Sequence, residues 1–422
     1  MKLFFMDVEL RQIPSYRRFW RSQVLSFMAN QILIMAFGWH IYALTHSALS
    51  LGYIGLVLFM PQLLLMLVVG QVADRYNRRR IVLTTQSLEF ILSLILAIGS
   101  YTQQLTSEWI FACAFAVGTV RAFQGPAMQA MLPTLIPLPL LPKAVSLSSA
   151  SRQFATIAGP ALGGLLFWGG SETVYASSAL FFLLAALSMF RIQLPPDTRV
   201  REPVTRKTLL AGINFIRHRP VILGAISLDL FSVLLGGATA LLPIYADTIL
   251  HTGTLGLGLL RAAPAIGALA IALYLARRPI EEKIGKAMFA GVIGFGITTI
   301  IFAVSTSFWL SFGSLIVMGA ADMVSVVIRS SLVQLETPHE MRGRVGAVNS
   351  IFIGASNQLG EFESGVTAAW VGVVPSVVLG GIGTLAIVAI WIKLFPELYH
   401  RNKLINDVDE INQAPKVLPS SI

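Results

Sequence analysis

The acidic residues best able to carry a proton in this chain sit inside long apolar runs. They are Asp229, Asp322, Glu361 and Glu363, with Glu89 in a further run. An acid held in hydrocarbon can shuttle a proton when its access alternates between the two sides of a barrier. Glu361 and Glu363 are two residues apart, so on a helix they point to different faces and only one looks inward. Arg121, Arg152, Arg261 and Arg329 also fall within apolar runs. A mid-bilayer arginine costs on the order of 3 kcal/mol even on insertion scales, so each must face a wet cavity or an acid. From these residues we expect proton coupling at Asp229, Asp322 and Glu361, with Arg121 as a charge partner. Substrate contacts are expected from Asn30, Gln31, Arg121, Gln124, Arg152, Arg261, Asn357 and Gln358. The competing structural reading makes the same groups buried ion pairs and hydrogen-bonded interhelical contacts that hold helices together. Other chemistries find little support. His40 reads as a satisfied interface residue, and His339 with Glu340 has no second metal-ligand pair at useful spacing. No phosphate-binding Gly-Lys-Ser/Thr loop and no nucleophile–base set occurs, so no enzyme activity, metal or cofactor is expected. The lone Cys113 allows no disulfide framework and reads as a packing residue.

The elements that must position these groups are membrane-length helices. The 422 residues are 55% hydrophobic and only 12% charged, against about 25% charged in a soluble domain. Mean hydropathy is +0.73. A spanning helix needs about 20 mostly apolar residues. Runs of that kind begin near Trp20, Leu51, Ile81, Trp109, Ala144, Val174, Val221, Leu255, Ala287, Phe308, Val345 and Ser376, which predicts twelve spans. The net charge of +10 would suit nucleic acid, but its distribution argues otherwise. With the N-terminus assigned to the cytoplasm, almost every Lys and Arg outside the spans falls in inner segments. The outer loops 45–50, 102–107, 168–173 and 246–254 hold none. Both termini are therefore expected inside. The start of the chain, Leu3 to Met6, is too short an apolar stretch for a cleavable signal.

The longest polar stretch, Arg191 to Pro220, divides the runs into six and six. Within it Leu209, Ile213 and Ile216 share a helical face flanked by Arg206, Lys207, Arg217 and Arg219, the pattern of a helix lying on the inner membrane surface. The expected organisation is a six-helix bundle over residues 1–192, a cytoplasmic linker over 193–220, a second bundle over 221–396 and a tail over 397–422. Two such sets suggest pseudo-repeats around a midplane cavity.

Between the second and third runs lies a short basic turn with Gly70, Asp74, Arg75, Asn77, Arg78, Arg79 and Arg80. Asp74 could meet a helix N-terminus or an arginine across an interface and lock one side shut. The arginines could anchor to anionic head groups. The turn resembles the loop between the second and third helices of the major facilitator superfamily, with Gly70, Asp74, Arg75, Arg78 and Arg79 on its pattern. Asn77 stands where that pattern has glycine, and the expectation is a positive φ that Asn tolerates. The second-half counterpart around Arg277 and Arg278 has no aspartate. Arg121, Gln124 and Gly125 resemble the fourth-helix signature of drug exporters in this superfamily. Gly159, Pro160, Gly163 and Gly164 resemble a fifth-helix element associated with antiporters, and Gly159 and Pro160 join the gating set. Across the chain the resemblance is nearest to the branch that holds the enterobactin exporter and macrolide-efflux transporters. It is also carried by the stretches 126–133, 210–215 and 334–345.

The resemblance implies an all-α membrane protein of twelve helices around a central cavity, in the inner (plasma) membrane. It implies a secondary transporter that exports a small organic molecule, a siderophore or a drug, by proton-coupled alternating access. The expected partners are that small molecule, protons and membrane lipids, without nucleic acid, and the expected state is a monomer. An importer or a lysophospholipid-type transporter of the same fold remains open at this point, as does a receptor or scaffold that transports nothing.

Overall fold

The computed structural model describes residues 8–192, 206–338 and 341–404. For some helical residues, among them Gly70, Asp74, Arg75 and 206–210, it describes the backbone alone. Among the described residues there is no strand. After a short turn α1 (Val8–Arg11), the first half runs α2 (Pro14–Thr45), α3 (Ala48–Arg75), α4 (Arg78–Tyr101), α5 (Ser107–Leu135), α6 (Leu141–Leu166) and α7 (Ser171–Phe190). A short helix α8 (Arg206–Arg217) precedes α9 (Pro220–Leu235), followed after a break by α10 (Leu242–Ile244). The second half continues with α11 (Gly253–Arg277), α12 (Ile284–Val304), α13 (Phe308–Glu336), α14 (Arg342–Val371) and α15 (Val373–Leu394), then the short α16 (Pro396–Tyr399).

Local chemistry explains the starts. Pro14 and Pro220 open α2 and α9, where the missing N–H costs nothing. Ser47 and Asn77 cap α3 and α4 by accepting from the backbone N–H of Ser50 and Arg80. Asn77 therefore departs from expectation: its φ is −61°, not positive. The asparagine is chosen here for its cap oxygen, not for tolerance of left-handed backbone. The left-handed turns fall instead at Gly170 (φ 89°) and Gly372 (φ 95°).

Ten segments are long and apolar enough to cross a membrane. α6 and α14, two of the expected spans, are not among them, because their polar residues dilute the hydropathy. The seventh expected span departs too. It is not one helix: α9 stops at Leu235, Gly236 and Gly237 follow, and the chain resumes through a 3-10 turn (Ala238–Leu241), α10 and a π turn (Tyr245–Ile249). A side chain at Gly237 would collide with the carbonyl of Gly360 on α14, so the break lets α14 approach. Gly-Gly inside an apolar run was the available signal for this break.

Packing is repeated between the halves. Within the first, α2 packs on α6 and α7, α3 on α5, and α4 on α5 and α7. Within the second, α9 packs on α14 and α15, α11 on α13, and α12 on α13 and α15. The halves meet chiefly along two seams, α6 on α11 and α3 on α14. Helix α8 does not lie free: Ile216 is buried with Val345 and Val348 of α14, and Gly212 faces the carbonyl of Arg344.

The two ends of the molecule differ. At the end whose turns lack Lys and Arg, one continuous apolar core joins both halves, with Ile32, Phe37, Tyr175, Tyr245, Leu257, Phe302 and Leu315 among its buried members. At the arginine-rich end the cores are separate. One belongs to the first half, around Tyr16, Phe19, Met131 and Met189; two belong to the second, around Phe289 and Leu332 and around Val345 and Ile222. The halves are sealed at one end and apart at the other.

Candidate functional site

Polar stripes at helical spacing create the first-half cluster. Ser22, Ser26 and Asn30 lie one turn apart on α2, and Gln86, Glu89 and Ser93 do so on α4. Both stripes turn inward, and Glu89 and Gln86 have no solvent exposure. Ser22 and Gln86 bond each other at 2.9–3.1 Å. Gln124 on α5 donates through Nε2 to Glu89 Oε2 (3.0 Å) and to Ser26 Oγ (3.1 Å). Arg121, one turn before Gln124, is electrostatically coupled to Glu89. The third span thus supplies the acid for the expected Arg121 site. From sequence, Glu89 ranked below the other acids because the third helix is peripheral in the resembling superfamily. The Gln86–Glu89–Ser93 stripe was the overlooked signal.

In the second half Asp229 on α9 pairs with Arg329 on α13, both almost fully buried. Asp322, two turns before Arg329 on α13, is coupled to both. Two carboxyls therefore share one guanidinium. This ion pair matches one arm of the structural alternative, with the second acid as surplus.

Glu361 on α14 is coupled to Arg261 on α11. Each reaches across to the first half at a glycine. A Cβ on Gly38 of α2 would lie 2.9 Å from Arg261 Nη2, and one on Gly55 of α3 would lie 2.6 Å from Glu361 Oε2. Gln358 also points at Gly55. Glu363 turns to its own helix, accepting from Thr367 at 2.8 Å, so the two neighbouring acids do face different ways.

The remaining expected residues divide. Gln31 donates to Thr156 Oγ1 at 3.4 Å and packs against Gly159. Arg152 is exposed, its guanidinium 5.0 Å from the ring centre of Phe27. Asn357 is exposed and donates to its own helix at the Ile353 carbonyl. Asn30 donates to the Ser26 carbonyl at 3.0 Å and neighbours Glu89. His40 meets the Tyr175 hydroxyl at 3.1 Å, the interface role expected for it. Cys113 is buried in the joint core.

In the gating set, Pro160, Gly164 and Gly258 form the tightest part of the α6–α11 seam, where backbone meets backbone without room for side chains. The side chains of Gly70, Asp74 and Arg75 lie outside the described residues, as do His339 and Glu340. Arg79 is not a head-group anchor in this structure. Its guanidinium bonds the Met189 and Phe190 carbonyls at the C-terminal end of α7 and lies over the Phe190 ring. Arg78 reaches the Ala130 carbonyl. Helix C-termini collect such cations because their last carbonyls are unpaired.

A cavity of about 480 Å³ opens between α4 and α7 at the sealed end, lined by Ala97, Tyr101, Glu172, Thr173 and Leu180 among others. None of the buried ion pairs lines it.

A family model described as transmembrane secretion effector matches residues 10–414. The chain belongs to this family, a branch of the major facilitator superfamily. It is a secondary transporter and a multi-pass membrane protein, acting on a small molecule as its family does. It is similar to the enterobactin exporter of Escherichia coli (strain K12), 23% identical over 93% of this chain and 94% of that one. The enterobactin exporter of Citrobacter koseri is 24% identical over 92% and 94%. Among solved structures it resembles a bacterial homologue of the human lysosomal transporter Spinster in an inward-facing, unoccupied conformation (TM-score 0.71, 13% identity, 93% and 99% covered). It also resembles an inward-facing bacterial homologue of the iron transporter ferroportin (TM-score 0.71, 14% identity, 93% and 100% covered). These likenesses bear on the fold.

Proposed function

We propose that the protein exports a small organic anion of the siderophore class across the inner membrane in exchange for protons, and that the conformation described is inward-facing. The observation that carries the coupling is the surplus carboxyl in the second half. Asp229 and Asp322 together face Arg329, and an uncompensated charge in a water-poor interior is neutralised far more cheaply by a proton than by burial alone. Asp322 is the proposed carrier, Asp229 its partner in the ion pair. Arg261 and Glu361, seated in the Gly38 and Gly55 notches, are proposed to latch the sealed end, so protonating Glu361 loosens the latch.

The twelve-span reading is supported by the repeated packing of the two halves, which gives α6 and α14 counterparts of each other along the two seams. In that reading the bundles are 1–192 and 221–396, the linker 193–220 and the tail 397–422, and a monomer suffices. The arginine-rich end is assigned to the cytoplasm by its charge, which places both termini inside and opens the cavity inward. The exposed Arg152 on Phe27 lies on that side and suits an aromatic anion, consistent with the enterobactin-exporting relatives. Asp74 remains the proposed gate residue of the basic turn.

Inverted vesicles with an acidic lumen test this. They are expected to accumulate a catecholate siderophore when the gradient is imposed, with a cationic dye as comparison substrate, and Asp322→Asn is expected to abolish the gradient's effect. Accumulation indifferent to the gradient in the unaltered protein would overturn the coupling.

A further inference from the structure

The first-half network contains three buried oxygens without a hydrogen-bond partner: Glu89 Oε1, Asn30 Oδ1 and Ser93 Oγ. Buried polar atoms in folded proteins are nearly always bonded, so a group of orphans around one carboxyl needs an explanation. Asn30 cannot supply a donor as it stands. Its Nδ2 already bonds the Ser26 carbonyl, which fixes the amide with Oδ1 as the remaining atom. An ionised Glu89 would then face the Asn30 oxygen with oxygen, acceptor against acceptor. A proton on Oε1 removes the conflict: the acid donates to Asn30 Oδ1 while Oε2 keeps the bond from Gln124.

We propose that Glu89 is a proton-binding group of the first half, held by Gln124 and Asn30, and that the Asn30 amide turns over when the proton leaves. In the ionised state Nδ2 of Asn30 gives up the Ser26 carbonyl, which stays satisfied within its helix, and donates to Oε1. The charged group facing Glu89 is Arg121 on α5. The charged residues of α2 lie in its first two turns, Arg17, Arg18 and Arg21. Those of α7 and of the start of α5 lie at the sealed end, Glu172 and Glu108. The ionised state is therefore balanced by one guanidinium, and the protonated state by the amides alone. Glu89 is the twelfth residue of α4, so at about 1.5 Å per residue it sits near mid-depth, where a transported proton must pause. That it serves transport rests on the proton-coupled reading above; that it binds a proton does not.

The test is infrared spectroscopy of the purified full chain in lipid nanodiscs, with glutamate carboxyls labelled with carbon-13 and pH varied. The expected result is a protonated-glutamate carbonyl band that titrates in the unaltered protein and in Asp322→Asn and is absent in Glu89→Gln. Asn30→Leu, which removes the acceptor and keeps the acid, is expected to move the band's frequency. It also carries the test should Glu89→Gln fail to fold. Titrating glutamate bands unchanged in Glu89→Gln, or unmoved in Asn30→Leu, would overturn the proposal. In gradient-driven accumulation Glu89→Gln is expected to lose about tenfold, an ordinary coupling effect. A titrating band beside gradient-indifferent transport would refute the coupling while leaving the proton site standing.

Discussion

The two halves solve the same problem differently. Each buries one arginine on its fourth helix, Arg121 in the first and Arg329 in the second. The first half sets Arg121 against one acid from the third helix and surrounds that acid with amides and hydroxyls. The second sets Arg329 against two acids and supplies few amides. A balanced pair in an adjustable amide shell tolerates either charge state. A surplus carboxyl with no such shell has to be neutralised. The comparison teaches that proton dependence should be steepest in the second half and softer in the first.

Arg329→Met breaks the comparison most severely. It strands two buried carboxyls, and loss of about 3–5 kcal/mol is expected, visible as collapse of the thermal transition in detergent. Adding Asp229→Asn should recover much of it, because the stranded charge goes too. Arg121→Met should cost clearly less, since Glu89 keeps its amide partners. Equal losses in the two halves would erase the proposed difference. Next in size is Gly258→Leu on the α6–α11 seam. The backbone of Pro160 lies where a side chain would go, so overpacking of about 1–3 kcal/mol should shift the protein toward opening at the sealed end. Distances between spin labels on the turns of the two halves would read this out. Gln124→Leu orphans a second oxygen of Glu89 and should cost about 1–3 kcal/mol in the first half without touching Asp322. The smallest effect is expected for Arg79→Ala, about 1 kcal/mol, measured as earlier unfolding with unaltered head-group binding. Weakened vesicle binding would instead restore its anchor role.

Much of this architecture was written in hydropathy. Eleven of the twelve expected run starts fall within the first turn or so of an observed helix, because apolar length is the property a bilayer demands. The gating glycines were legible as well, since Gly164 beside Pro160 can only mean close backbone approach. Glu89 was underrated because a single acid in an apolar run carries no sign of its neighbours. Its partners Asn30 and Gln124 come from helices distant in sequence. Gly38 and Gly55 were invisible for the same reason: their use is defined by Arg261 and Glu361 on the opposite half. The break after Leu235 was missed because Gly236 and Gly237 lie within an otherwise unbroken hydropathy signal. Asn77 was misread because cap and left-handed turn draw on the same small set of residues, and spacing alone does not separate them.

The central claim is that a carboxyl left unpaired in the second half binds the coupling proton. Substrate-dependent proton flux in sealed inverted vesicles tests it most directly, comparing the unaltered protein with Asp322→Asn. The account predicts proton movement opposite to the substrate in the first and none in the second. Equal flux in both would contradict it.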